Sequence, residues 1–174
     1  DVGPGNAMID DWVFSHGLGD YDKNGAIAAS GFVNADILNQ YLSHDFFHEK
    51  PPKSLDRNSF SLELVKGLTI EDATATLSEF TAESIRNSQV FFPSPVNQWI
   101  VCGGGRLNGE LMRMLRVKLD AQVVRSEEVG WDGDALEAQA FAFLAVRSLM
   151  KLPLSFPNTT GVKKSTVGGV LNLP

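Results

Sequence analysis

Apolar and polar residues alternate along this chain mostly with helical spacing. Met8, Ile9, Trp12 and Val13 fall on one stripe and predict a helix over 7–16; Ile37, Leu38 and Leu42 do the same over 34–43. After Pro51-Pro52 a short helix is expected over 59–66. The longest helix is predicted over 70–91, with Ala73, Leu77, Phe80, Thr81, Ser84 and Ile85 as its buried stripe. Thr69-Ile-Glu-Asp72 opens it in the form of a capping box, and Pro93-Ser-Pro95 ends it. Two short apolar runs, 98–102 and 121–125, read as strands, and a helix over 107–119 between them makes a right-handed parallel crossover. A last helix starts at Asp132-Gly-Asp134 and ends near Leu152, ahead of a proline- and glycine-rich tail. On it Glu137 shares a face with Ala140, Phe141 and Leu144, awkward company for a carboxylate, although its first-turn position also suits the helix dipole. The order of elements implies a helix-rich α/β domain.

Composition narrows the function classes. At 174 residues the chain is long enough for one domain with a sizeable core. A net charge of −6 argues against a nucleic-acid surface, which needs a basic face. The most apolar helical stretch, 135–150, is interrupted by Glu137 and Arg147 and is too short to span a bilayer. The opening residues lack the apolar run of a targeting segment, and none is expected. The single cysteine, Cys102, sits on an apolar strand and has no partner for an internal disulfide, so a reducing cytoplasm is the expected compartment.

The candidate chemistry gathers at two glycine turns. Gly103, Gly104 and Gly105 stand between a strand and a helix, with Asn108 at the helix start. Such glycines let backbone approach a ligand, and the first amides of the helix suit a phosphate or a polar nucleotide edge; the bland alternative is that they serve the turn alone. The opening turn, Asp1-Val-Gly3-Pro-Gly5-Asn6, delivers amides and Asn6 to the start of another helix, a second place for an anion; alternatively Asn6 is only a cap and Asp1 a solvated end.

Other motifs fall short. Asp20-Tyr-Asp22-Lys-Asn24-Gly25 opens like a calcium loop, but its twelfth position is Gly31 where a bidentate glutamate belongs. His44 and His48, four apart, lack a third zinc ligand and the glutamate of the protease motif. Lys53 and Arg57 are in reach of a phosphate or are simply solvated, and residues 161–165 resemble a phosphate loop only loosely. A dinucleotide fold is weakened because Asn108 replaces the third glycine and the second strand ends at Arg125 without the ribose-binding acid. Arg125 would suit a phosphorylated ribose, which leaves an NADP-dependent oxidoreductase as one alternative.

Taken in order, 1–6, Tyr21-Asp-Lys-Asn-Gly25, Ala29-Ser-Gly-Phe-Val33, Pro52-Lys53-Ser54, Leu77-Ser-Glu-Phe-Thr81, Val101-Cys-Gly-Gly-Gly105 with Asn108, Gly133-Asp-Ala-Leu-Glu-Ala138 and Pro157-Asn-Thr-Thr-Gly161 form one series. The series resembles the C-terminal half of the anhydro-N-acetylmuramic acid kinases, bacterial enzymes of cell-wall recycling in the sugar kinase, heat-shock chaperone and actin superfamily. That resemblance implies a partial ribonuclease-H-like lobe over 1–174, without its opening strands and with a short parallel sheet flanked by helices, from an enzyme whose two lobes close around ATP, Mg2+ and the anhydro sugar. It implies that Gly103, Gly104, Gly105 and Asn108 face the adenosine side, that Asp1, Gly3, Gly5 and Asn6 face the phosphates and the cleft, and that Glu137 lies near the sugar. The family's first phosphate loop, its glycine-rich hairpin and its catalytic aspartate all precede the point where this sequence begins, so no catalytic residue and no metal ligand is expected within it. The expected partner is the N-terminal half of the same enzyme, with a homodimer left open, and the short parallel sheet is expected to have an unpaired edge. Where the family pattern reads Lys-Ser-Thr-Gly-Arg, this chain has Lys53-Ser-Leu-Asp-Arg57. A non-catalytic nucleotide-binding or interaction module of the actin-like superfamily is the other alternative.

Overall fold

The computed structural model describes residues 1–172. Its organising element is α4, Ile70–Asn87, capped by the Thr69 hydroxyl, which accepts from the Asp72 amide at 3.1 Å. Phe80 and Leu77 from α4 are fully buried against Ile9 and Trp12 of α1 (Ala7–Ser15), Tyr41 of α3 (Ala35–Leu42), and Phe46, Phe60 and Val65 from the connecting segment. This aromatic cluster is one core. Further along α4, Ala82 and Ile85 meet Leu111, Met112 and Leu115 of α5 (Gly109–Lys118), together with Trp99, Val101 and Val123, to make the second. α4 is therefore the wall shared by both.

The short α2 (Ala26–Ser30) is started by Asp22, whose buried carboxylate accepts from the amides of Ile27 at 2.9 Å and Ala28 at 3.0 Å. The residue that mimics a calcium ligand is thus a helix cap. β1 (Gln98–Val101) and β2 (Gln122–Arg125) pair in parallel, Gln98 opposite Gln122 and Val101 opposite Arg125, and form a two-stranded sheet. α6 (Leu136–Leu149) and the four-residue α7 (Pro157–Thr160) complete the order.

Three expectations change. The helix expected over 59–66 is two separate 3-10 turns, Arg57–Ser59 and Leu62–Val65, each started by a local cap, Asp56 and Ser61. Cys102 lies just past β1 and is exposed. α6 buries none of its residues, so Glu137, Ala140 and Phe141 all face solvent and Leu144 is only half-buried. No helix among the described residues is long and apolar enough to cross a membrane.

Candidate functional site

β1 delivers the chain to the glycine turn, which continues as a 3-10 turn, Gly104–Leu107, before α5 begins. Asn108 is buried at the N-cap of α5, and its Oδ1 accepts from the Leu111 amide at 3.0 Å. The remaining approach to the start of α5 is taken by the loop that holds Asn24 and Gly25. A Cβ on Gly25 would collide with Asn108 Oδ1 and stand 2.8 Å from the Glu110 nitrogen, so only glycine lets the loop come this close. The first amides of α5 are therefore covered by protein rather than left open to a phosphate. The open part of the turn is Gly103 and Gly104, where an added side chain would meet nothing within 4 Å.

Gly104 lines a cavity of about 290 Å³ together with Asn6, Asp10, Tyr21, Asn24, Leu107 and Asn108. Asn6 is at the N-cap position of α1 but makes no capping bond; instead its Oδ1 lies 3.4 Å from where a Cβ on Gly105 would be. The two glycine turns, about a hundred residues apart in sequence, thus meet at one cavity. The opening turn is divided, however. Asp1 points the other way: its carboxylate accepts from the amides of Gly3 at 3.1 Å and Leu55 at 2.9 Å. Asp1 lines a second cavity of about 280 Å³ with Lys53, Ser84, Asn87, Phe91 and Asn158. Gly3 packs on Ser84, and the Gly5 carbonyl accepts from the Thr81 hydroxyl at 2.6 Å. Asp1 and Gly3 therefore do not share the cavity of Asn6 and Gly104, and Glu137 lines neither one.

Charge around the first cavity is acidic. Burial, reinforced by neighbouring Asp11 and Asp22 and opposed by Arg57, raises the Asp10 carboxyl to about 6. A pocket lined by carboxylates and amides matches the hydroxyls and base edge of a nucleoside better than it matches a polyphosphate. Neither basic candidate is free to balance it. Arg57 binds both Asp11 oxygens at 2.8 Å, and the Lys53 amine donates to the Phe46 carbonyl at 2.5 Å while lying 4.3 Å from the centre of the Phe46 ring. Burial holds that amine below the usual lysine range.

One residue of the turn was passed over in the sequence. The buried Arg106 donates to the Gly103 carbonyl at 3.0 Å, pairs with Glu127 at 2.6 Å and reaches Asp134 at 2.9 Å. A Cβ on Gly133 would collide with its guanidinium, so the glycine makes room for it. Arg106 therefore fixes the backbone at the open glycines and ties it to the lead-in of α6, the helix that carries Glu137. Its signal in sequence is faint, a lone charge beside three glycines whose acidic partners, Glu127 and Asp134, stand far along the chain. Asp10 had a clearer one, because it follows Asn6 by one helical turn and so shares its face.

The other motifs are structural. His44 Nδ1 accepts from the Phe46 amide at 3.2 Å, and residues 161–165 form no junction between a strand and a helix. Among the described residues no group of three or more His, Cys, Asp or Glu side chains is arranged to hold a metal ion.

A family model described as anhydro-N-acetylmuramic acid kinase matches residues 1–173. Proteins of that name are similar along the whole chain. The one from Rhodospirillum rubrum is 51% identical over 169 residues, 97% of this chain and 45% of its own length. That from Paramagnetospirillum magneticum is 49% identical over 177 residues, covering 100% of this chain and 50% of its own length. That from Zymomonas mobilis is 49% identical over 169 residues, 97% of this chain and 46% of its own. The chain spans about half the length of the curated relatives it matches.

Proposed function

Because the chain belongs to the anhydro-N-acetylmuramic acid kinase family, we propose that it is the nucleotide-holding, C-terminal lobe of such an enzyme. The whole enzyme opens the 1,6-anhydro ring and phosphorylates the 6-hydroxyl of anhydro-N-acetylmuramic acid in the cytoplasm, as a step in peptidoglycan recycling. The observation that carries this reading is the meeting of Asn6 and Gly105 beside one cavity. Two turns that the family resemblance assigns to one nucleotide are neighbours in space.

In this reading Gly103, Gly104, Gly105, Asn6 and Asn108 hold the nucleoside end of ATP, with Asp10, Asn24 and Tyr21 along the wall. The open glycines leave room for the ligand, and the acidic lining keeps the phosphates toward the mouth. Asp1, Gly3 and Gly5 act one step back, fastening the opening turn to Leu55, Ser84 and Thr81. Glu137, exposed on α6, takes a hydroxyl or amide of the sugar from the cleft side. When bound, ATP would supply the phosphoryl group and Mg2+ would offset the charge that develops on it, with none of the residues named here assigned to the metal. The base that activates the attacking oxygen belongs to the part of the relatives that this chain does not span, so the chain alone binds nucleotide without turnover.

Calorimetric titration with ATP and with NADP tests the reading, alongside an assay for phosphate transfer to anhydro-N-acetylmuramic acid. ATP is expected to bind, NADP not to bind, and transfer to be absent from this chain but present in the whole Rhodospirillum rubrum relative. Tighter binding of NADP than of ATP would favour an oxidoreductase. Turnover by the 174 residues alone would show that the base lies within them.

A further inference from the structure

Most of the acceptors around the cavity beside Gly104 are already in use. Asp22, on its wall, gives both carboxylate oxygens to the amides of Ile27 and Ala28, and Asn108 gives its Oδ1 to the amide of Leu111. Asp11, next along α1 but off the wall, is held by Arg57, and Asp20 is exposed. Asp10 differs from all of these. It is half-buried on the wall, and among the described residues its carboxyl has no hydrogen-bond partner; its surroundings act on it through burial and through the charges of Asp11, Arg57 and Asp22. Withdrawing a carboxylate from water without a donor to satisfy it is unfavourable, and a ligand that brings donors offsets that cost.

A second side chain points to the same ligand space. Asn108 is only 4% exposed, and while its Oδ1 caps α5, its Nδ2 has no hydrogen-bond partner among the described residues. It lines the cavity beside the open backbone of Gly104. The cavity therefore offers an unused acceptor at Asp10 and an unused donor at Asn108. Carboxylates at Asp10, Asp20 and Asp22 repel phosphates. What remains of a nucleotide is a base edge, which mixes donors with acceptors, and a ribose whose 2′- and 3′-hydroxyls stand on neighbouring carbons. The amides of Asn6, Asn24 and Asn108 both donate and accept, and so suit the base edge. An ionised carboxylate only accepts, through two adjacent oxygens, and the pair of hydroxyls presents two donors to match.

We infer that Asp10 selects for a ribonucleotide, its carboxylate accepting from the 2′- and 3′-hydroxyls while the Asn108 amide holds the nucleoside against the glycine turn. That the ligand is a nucleotide rests on the kinase reading above; the choice of Asp10 within the cavity rests on its unused carboxylate. Because the hydroxyls meet the ionised form, the preference depends on pH. Without ligand, burial and then Asp11 raise Asp10 to about 6, with Asp22 acting in the same direction and Arg57 against them. Asp20 and Tyr21 also face the cavity from the loop after α1. From α5 no titratable residue lines it, and Glu110 is held by Arg113 at 2.8 and 2.6 Å. Ribose binding therefore strengthens as pH rises through about 6.

Calorimetric titration of this chain with ATP, 2′-deoxyATP, 3′-deoxyATP and inosine triphosphate, at pH 5 and pH 7.5, tests the inference. All carry the same triphosphate, so its own titration cancels in the ratios of affinity. At pH 7.5 each deoxynucleotide is expected to bind about tenfold more weakly than ATP, for loss of one charge-assisted hydrogen bond, and inosine triphosphate within about threefold of it. At pH 5, with Asp10 mostly protonated, the preference over the deoxynucleotides is expected to shrink below about threefold. Asp10→Asn is expected to show that small preference at both pH values. Its urea midpoint at pH 7.5 is expected to be no lower than the parent's, so a lost preference is not lost folding; the comparison of nucleotides in the parent stands without the variant. A preference kept in the variant would overturn the inference. So would weak binding of inosine triphosphate with none lost for the deoxynucleotides, which would assign Asp10 to the amino group of the base. Equal binding of ATP and the deoxynucleotides would overturn this inference and leave the kinase reading standing, whereas no binding of any nucleotide would overturn both.

Discussion

Asp10 is the residue whose ionisation matters most in the described cavity. Burial and the two neighbouring carboxylates raise it to about 6, so its neutral form is favoured in the folded chain. The stability this gives is fully present below the ordinary aspartate range near 4 and is lost as pH rises through about 6. Asp10→Asn is therefore expected to stabilise the chain at pH 7.5 by about 1 kcal/mol, reduced from the full linkage because the group is partly open to solvent. Urea unfolding of both proteins at pH 4 and pH 7.5 checks it, and the advantage should vanish at the lower pH. Gly133 and Arg106 supply a second test. Gly133→Ala drives a methyl into the guanidinium and toward the Ser126 hydroxyl, and is expected to cost about 1–3 kcal/mol. In an Arg106→Ala background that cost should shrink, and a double-mutant cycle by urea unfolding measures the coupling. Additive effects would show that the glycine does not stand on the arginine. The cavity was legible in sequence as its two turns, because glycine runs mark backbone that must approach something. The bonds of Arg106 and the division of the 1–6 turn were not, since both depend on partners set by tertiary packing.

At Asn108 a helix cap and the wall of the cavity coincide in one side chain. It caps α5 through the Leu111 amide and also lines the cavity. Asn108→Ala is expected to cost about 1 kcal/mol in urea unfolding. Asn108→Asp keeps an oxygen for the cap and adds a negative charge beside the site. It should hold stability near the parent's while weakening ATP binding in calorimetry, and an unchanged affinity would remove Asn108 from the site. α4 was foreseen from its stripe and capping box, and Thr69 does cap it; local signals sufficed because both are written within one element. The apolar spacing over 59–66 imitates a helix because Phe60, just past the first 3-10 turn, and Val65, within the second, both reach the same core. Glu137 was placed in apolar company correctly, but that company was expected to be buried. α6 leaves it open to solvent, because the tail shields only the side of the helix near Leu144 and Ser148.

At the scale of the whole molecule, both cores lie between Met8 and Val123. Among the described residues, those from 135 to 172 either bond within themselves or rest on the surface. Arg147 donates to the Pro153 carbonyl at 2.8 Å and the Ser148 hydroxyl to the Gly168 carbonyl at 2.7 Å, both inside the C-terminal segment. Contact with the body is limited to sites such as the second cavity, where Asn158 and Thr159 join Asp1 and Lys53. Cooperative unfolding follows the shared cores, so a chain ending at Ala135, which keeps Asp134 for Arg106, should still unfold in one transition. Its midpoint should fall by no more than about 5 °C, since removing surface contacts costs on the order of 1 kcal/mol. Phe80→Ala, a single change inside α4, should cost about 3–5 kcal/mol and outweigh that loss of nearly forty residues. Thermal and urea unfolding of the two proteins side by side checks the ranking. If the truncation proves the more damaging, the C-terminal segment is holding the body together in a way that its exposed helix does not suggest.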